Sequence, residues 1–220
     1  MTGDCILFAA INLGSQEIYG KRVLEVGSYN VNGSIRPLIE KYNPKEYIGV
    51  DISEGPGVDI KCDVTSLISR FGENSFELVV STELLEHVRE WRQAIHNMKT
   101  VCKPGGTILI TTCSIGFAYH GFPYDYWRYE LKDMEYIFGD FKIENLEKAN
   151  YKGAFIKCVK PDNFIEKDIA NFDLYSIIRG RRIIEIPDDI SCRWKVKIMG
   201  LREDLRYYFH KVIDLLLLSK

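Results

Sequence analysis

No stretch of this sequence approaches the roughly 20 consecutive apolar residues of a membrane-spanning helix, and the aliphatic run Leu215 to Leu218 falls far short. Met1 to Ala10 has no basic region ahead of its short apolar stretch and carries Asp4 inside it, which argues against a signal peptide. Charge of one sign is lacking too. Lysine and arginine total 29 against 31 acidic residues, with a pI near 6.1, so there is no global positive field of the kind non-specific nucleic-acid binding depends on. The six cysteines, Cys5, Cys62, Cys102, Cys113, Cys158 and Cys192, form no C-x-x-C pair. Most sit in apolar runs as small hydrophobes, which reads as the reduced thiols of a cytoplasmic protein. His87, His96, His120 and His210 form no ligand spacing with them, so no metal site is expected. Internal repeats, low-complexity tracts and long charge runs are absent. Arg179 to Arg182 is the single basic cluster, read as solvated surface.

What is present is an ordinary globular balance: 46% apolar, 27% charged and 12% aromatic residues across 220 positions. Cys5 to Ile18 reads as a lead-in helix. Short apolar strands are predicted at Val23–Val26, Tyr47–Val50, Val58–Cys62, Phe76–Val80 and Thr107–Thr112. Helical spacing covers about Ser34 to Lys41 and Trp91 to Val101, the latter stopped by Lys103-Pro104-Gly105-Gly106. Phe141–Leu146 and Ala154–Val159 are joined by too short a link for a helical crossover, so they form an antiparallel hairpin. The expected fold is α/β: a Rossmann-like, mainly parallel seven-stranded sheet with helices on both faces and a C-terminal antiparallel hairpin. Residues 1–20 form the lead-in, 21–160 the main domain and 161–220 an appendage with a short strand at Ile183–Ile186 and a helix at Leu201–Leu218.

In an open parallel sheet the ligand lies at the carboxyl ends of the strands. After the first strand, Gly27 to Gly33 is a turn whose small residues let a backbone approach a ligand, with Ser28 and Asn30 adding polar contacts. Asp51, about 24 positions after Gly27, ends the second strand, where a carboxylate can accept both hydroxyl hydrogens of a ribose. Asp63 ends the third, placed for an adenine amino group. A nicotinamide dinucleotide would want G-x-G-x-x-G to seat its pyrophosphate on a helix N-terminus, and this loop lacks it. A ligand without a pyrophosphate fits better.

Val-Leu-Glu-Val-Gly at 23–27, Ile-Gly-Val-Asp at 48–51, Phe-Glu-Leu-Val-Val-Ser at 76–81, Leu-Glu-His-Val at 85–88 and Lys-Pro-Gly-Gly at 103–106 resemble, in order and spacing, the motifs of class I SAM-dependent methyltransferases. The resemblance spans roughly residues 21–160. It implies S-adenosylmethionine as cofactor and S-adenosylhomocysteine as product. Glu25 and Gly27 would hold the methionine end, Asp51 the ribose and Asp63 the adenine, with Ser28, Asn30, Ile52, Val64 and Ser81 lining the same site. One departure stands out: Tyr29 and Val31 occupy places where that family usually has glycine.

Ser114 to Tyr129 is dense in aromatic and polar side chains, and loops after strands carry function in such folds. It resembles the H-G-x-P-x-D-Y-W-R-Y stretch of a subset of these methyltransferases, often found in small-molecule and glycan contexts. Substrate contacts are expected from Tyr124, Tyr126, Trp127 and Arg128. Equally open are aromatic packing for Trp127 and an internal carboxylate partner for Arg128. Methyl transfer is an in-line displacement on an activated sulfonium, so orientation can supply up to roughly 7 to 11 kcal/mol. For a hydroxyl acceptor, His120 is the candidate base and Asp125 its orienter or substitute.

The expected activity is methyl transfer to a small molecule such as a sugar or glycan precursor, with no membrane partner. The alternatives are an RNA or protein methyltransferase and a non-catalytic SAM-binding or assembly module. Calorimetry should detect binding of S-adenosylmethionine and none of NAD; the reverse result would sink the cofactor reading.

Overall fold

A computed structural model describes residues 2–121, 124–187, 194–202 and 205. Helices α1 (Gly3–Asn12) and α2 (Ser15–Ile18) lead into β1 (Arg22–Val26), α3 (Arg36–Glu40), β2 (Glu46–Asp51) and β3 (Ile60–Lys61). Then follow α4 (Leu67–Phe71), β4 (Phe76–Thr82), α5 (Trp91–Val101) and β5 (Cys102–Cys113). The chain continues through β6 (Trp127–Arg128), α6 (Leu131–Ile137), β7 (Lys142–Ala149), β8 (Gly153–Val159), β9 (Leu174–Ser176) and β10 (Arg181–Ile183). Seven strands form one sheet in the order β3-β2-β1-β4-β5-β8-β7. The first five are parallel, and β8 enters antiparallel between β5 and β7.

Strict alternation along buried strands explains both faces at once. Val23, Leu78, Val80, Leu109 and Phe155 point into a cluster with Cys5, Phe8, Ile18, Ile35 and Ile39, so α1, α2 and α3 cover one face. Leu24, Val79, Ile108, Ile110 and Ile156 point the other way, to Trp91, Ile95, Met98 and Ile137 of α5 and α6. Since both faces are covered, these strands read as continuous apolar runs. Reversal of the strand order at β1 and β4 opens a crevice above their carboxyl ends, where ligands of such sheets bind.

Two buried ammonium groups fix the far end of α5. Lys99 Nζ lies 2.6 Å from Asp140 Oδ2 and donates to the Ile137 carbonyl at 2.6 Å. Lys160 Nζ donates to the carbonyls of Lys99 and Cys102 at 2.8 and 2.7 Å, where the helix leaves carbonyls unpaired.

The expected sheet and hairpin are present. The lead-in is two helices rather than one, because Leu13 and Gly14 are extended. The short strand of the appendage lies at Arg181–Ile183 instead of Ile183–Ile186. It belongs to a second sheet, β10-β9-β6, which joins the appendage to the loop after β5. Two- and three-residue strands carry no readable alternation, so this sheet left no trace in the pattern. The helix expected at 201–218 falls mostly outside the described residues.

Leu109→Ala should cost about 2–5 kcal/mol in urea unfolding, while Leu7→Ala at an exposed position should stay within about 0.5 kcal/mol.

Candidate active site

The loop after β1 begins at Gly27, whose φ of 82° lies in the left-handed region. A Cβ there would sit 3.0 Å from Leu84 Cβ, so conformation and space both require glycine. The N–H groups of Gly27 and Ser28 donate to the Val50 carbonyl at 2.9 and 3.0 Å, and that of Asn30 to the Pro56 carbonyl at 2.8 Å. Tyr29 packs against the turn after β2: a Cβ at Gly55 would meet its ring at 2.0 Å. The close approach usually made by a second glycine in the first loop is thus supplied from the neighbouring loop.

Asp51 accepts from the Ser53 N–H at 2.9 Å and the Tyr29 N–H at 3.4 Å, one on each oxygen, so lone pairs remain for a diol. Asp63 takes the N–H and hydroxyl of Thr65, at 2.8 and 2.7 Å, both on Oδ1. Glu25 is buried and accepts the Tyr47 hydroxyl; burial pushes its carboxyl up to about 7 despite that bond. Asn30 closes its own loop through the Gly33 N–H at 2.9 Å. Ile52 is 62% exposed, whereas Val64 is packed in the main core. The hydroxyls of Ser28 and Ser81 are buried without a hydrogen-bond partner among the described residues. Orphaned donors at the ends of β1 and β4 are what a polar ligand in the crevice would satisfy.

Beyond β4 and β5 stands a second constellation. Glu83 follows β4 directly with φ 53°, a left-handed angle costly for a residue with a Cβ. Burial and the neighbouring Glu86 raise its carboxyl pKa. Glu86 is fully buried and accepts the Thr112 hydroxyl at 2.9 Å and the Cys113 thiol at 3.2 Å. His120 Nε2 lies 3.8 Å from Glu86 Oε1 and 4.0 Å from Cys113 Sγ, while Nδ1 lies 3.0 Å from Asp125 Oδ2. The rings of His87 and Phe117 meet His120 edge-on at 4.8 and 5.0 Å. A small recess of about 10 Å³, lined in part by Glu83, Cys113, Phe117, Tyr151 and Phe155, opens beside this group.

Asp125 holds the loop together. Its oxygens take two Arg128 nitrogens at 2.5 and 2.6 Å, and one also accepts the His120 N–H at 3.0 Å. Burial alone would raise its pKa; the guanidinium wins and holds the carboxyl well below the usual range. For His120, burial works downward, but the bond to Asp125 and the charge of Glu86 carry its pKa above the ordinary 6.5.

The expected His120–Asp125 contact is therefore made. Arg128 spends its donors on Asp125 and on the carbonyls of Phe117, Ala118 and Trp127, so it is a wall element rather than a substrate ligand. Trp127 is 1% exposed, with its indole N–H on the Arg89 carbonyl at 3.2 Å, and it too builds the wall. Tyr124, 47% exposed, and half-buried Tyr126 keep access to the surface. Sequence reasoning missed Glu83, Glu86 and Cys113 as site residues. Glu86 lies inside the Leu-Glu-His-Val motif, which was the available signal. One atom each from Glu86, Cys113 and His120 lies within 4.8 Å of the others, a grouping able to hold a metal ion. Positions 86, 113 and 120 share no ligand spacing, and only the sheet brings them together.

A family model described as a methyltransferase domain matches residues 5–152. The chain belongs to this methyltransferase-domain family and is an enzyme of that kind. The expected cofactor, S-adenosylmethionine, stands with the family. Among solved structures, a S-adenosylmethionine-dependent methyltransferase from Mesorhizobium loti is 17% identical, covering 72% of this chain and 99% of its own, with a TM-score of 0.56. The 1,6-didemethyltoxoflavin-N1-methyltransferase of Burkholderia thailandensis, bound to S-adenosylhomocysteine, is 14% identical over 72% of this chain and 79% of its own, TM-score 0.59. Phosphoethanolamine N-methyltransferase 2 of Haemonchus contortus is 17% identical over 72% of this chain and 53% of its own, TM-score 0.55. These likenesses show the fold. No curated protein matches the chain.

Asp125→Ala strands the Arg128 charge in the interior, so it should lower stability by about 3–5 kcal/mol in denaturant unfolding. Tyr124→Ala should leave it within about 0.5 kcal/mol.

Proposed function

We propose that the protein transfers a methyl group from S-adenosylmethionine to a small-molecule acceptor, a sugar or glycan precursor, with His120 as the general base. The observation that carries this is His120, pinned at Nδ1 by Asp125, beside the open ends of β4 and β5. The five cysteines among the described residues, Cys5, Cys62, Cys102, Cys113 and Cys158, are free, which supports the cytoplasm as its compartment.

In this reading the main body is residues 21–160, with 1–20 as a cover and 161–220 as an appendage. The cofactor fits the residues at hand. Asp51 has lone pairs for the ribose, Asp63 keeps Oδ2 for the adenine, and the orphaned hydroxyls of Ser28 and Ser81 face demand for a partner. Gly27 lets the backbone come close at the methionine end, and Glu25, tied to Tyr47, fixes the floor of the crevice. When bound, the cofactor supplies a sulfonium-activated methyl; the protein supplies alignment and exclusion of water. Tyr124 and Tyr126 offer a ring surface on which a sugar can lie, and His120 Nε2 takes the acceptor's proton as its oxygen attacks. The charge of Asp125 stabilises the imidazolium so formed.

Methylation of RNA or protein would need a basic groove. The Arg179–Arg182 cluster supports it poorly, since Arg182 is spent on Asp133, at 2.6 Å, and on Asp173, at 3.0 Å.

A screen of cell extract for acceptors of labelled methyl tests the activity. With an acceptor in hand, His120→Asn should lower kcat about 10²- to 10⁴-fold while S-adenosylmethionine binding is kept; an unchanged kcat removes His120 from the reaction. A base must be neutral, so activity should rise with pH through a pKa above 6.5. Asp125→Asn removes the larger of the two influences that raise the value and leaves burial and Arg128 opposed only by Glu86, so that limb should move to lower pH.

A further inference from the structure

Glu86, Cys113 and His120 come from three places that the sheet brings together: the turn after β4, the end of β5 and the loop that follows it. Glu86 and Cys113 are 0% and 1% exposed, so this is not a chance gathering of surface acids around a surface thiol. Glu86 Oε1 lies 3.2 Å from Cys113 Sγ and 3.8 Å from His120 Nε2, and Sγ lies 4.0 Å from Nε2. Zinc bonds of roughly 2.0–2.3 Å put tetrahedral ligand atoms about 3.3–3.6 Å apart, so small side-chain movements seat all three on one ion. From Nε2 to the carboxylate, 3.8 Å is too long for a hydrogen bond. Nδ1, 3.0 Å from Asp125 Oδ2, carries the proton, which leaves the Nε2 lone pair facing the other two groups. A histidine held from behind by a carboxylate is the usual support of a metal ligand. The charge is unbalanced as well. Glu83 Oε1 lies 4.0 Å from the same sulfur, and among the described residues neither Glu83 nor Glu86 has a lysine or arginine partner, since Arg128 is taken by Asp125.

We propose that Glu86 Oε1, Cys113 Sγ and His120 Nε2 bind a zinc ion. Thiolate together with imidazole selects zinc over magnesium and calcium, which take oxygen ligands. Binding forms a zinc–sulfur bond in place of the S–H bond, and the thiol proton leaves to solvent. Three protein ligands leave zinc a fourth position for water. The ion takes the Nε2 lone pair that the methyl-transfer reading gives to the acceptor's proton. That reading and its pH profile therefore describe the zinc-free protein, and zinc switches the base off. Both involve His120, but zinc binding needs neither acceptor nor cofactor. The site replaces the expectation of no metal.

The full chain, freed of metal by a chelator, should take up about one zinc per chain in equilibrium dialysis against zinc chloride, undisturbed by excess magnesium. Cobalt in place of zinc should give the near-ultraviolet band of a thiolate–cobalt bond. Cys113→Ser should lose that band. Cys113→Ser and His120→Asn should each weaken zinc binding at least about tenfold, with far-UV circular dichroism unchanged. Cys62→Ser, at a half-buried thiol outside the cluster, should alter neither band nor binding. The band is read on the wild-type chain, so the test stands even where a variant fails to fold. Absence of zinc uptake, cobalt bound without the thiolate band, or uptake that both variants keep would each overturn the proposal. Methyl transfer is decided separately, by the labelled-methyl screen on zinc-free protein.

Discussion

The buried pair of Asp125 and Arg128 is the contact on which the loop after β5 depends. Two charges with no exposure are tolerable in a protein interior only when hydrogen bonds consume nearly every donor and lone pair. Here they do so in one short loop. Arg128 gathers the carbonyls of Phe117, Ala118 and Trp127 around itself, and Asp125 captures the His120 backbone and ring. A segment without regular structure thereby acquires a fixed shape, and an imidazole acquires a fixed orientation. Replacing the pair by apolar groups could match its stability, but it would free the histidine.

The electrostatics around that histidine are uneven. Glu83, Glu86 and Cys113 crowd one side, and burial together with the two carboxylates pushes the Cys113 thiol far up. That direction favours the protonated thiol, which donates to Glu86 at 3.2 Å. His120, one-third exposed, is the member of this group that solvent reaches.

The sheet was legible because burial on both faces leaves an unmistakable mark: apolar runs such as Phe76–Val80, stopped by polar residues at their carboxyl ends. The helix Trp91–Val101 was legible to the residue, since Pro104 and Gly105 end its pattern. That Asp51 closes the second strand and Asp63 follows the third was legible from the polar residues that stop those apolar runs. Three things were not. Arg128 was left between a substrate contact and an internal carboxylate because sequence shows a charge but not that its partner is Asp125, three residues away. Tyr29 looked like an intrusion into a glycine loop because its landing place, Gly55, belongs to another loop. Glu86, Cys113 and His120 looked unrelated because tertiary contact follows strand order, not spacing.

The pairing of β6 with β9 deserves a last reading, because it crosses the end of the family match at residue 152. β9 lies outside the matched residues, yet it pairs with the strand that carries Arg128. The loop that fixes His120 is therefore anchored from two stretches of chain about fifty residues apart, so a change that loosens β9 is felt at the histidine even though no side chain of β9 touches it.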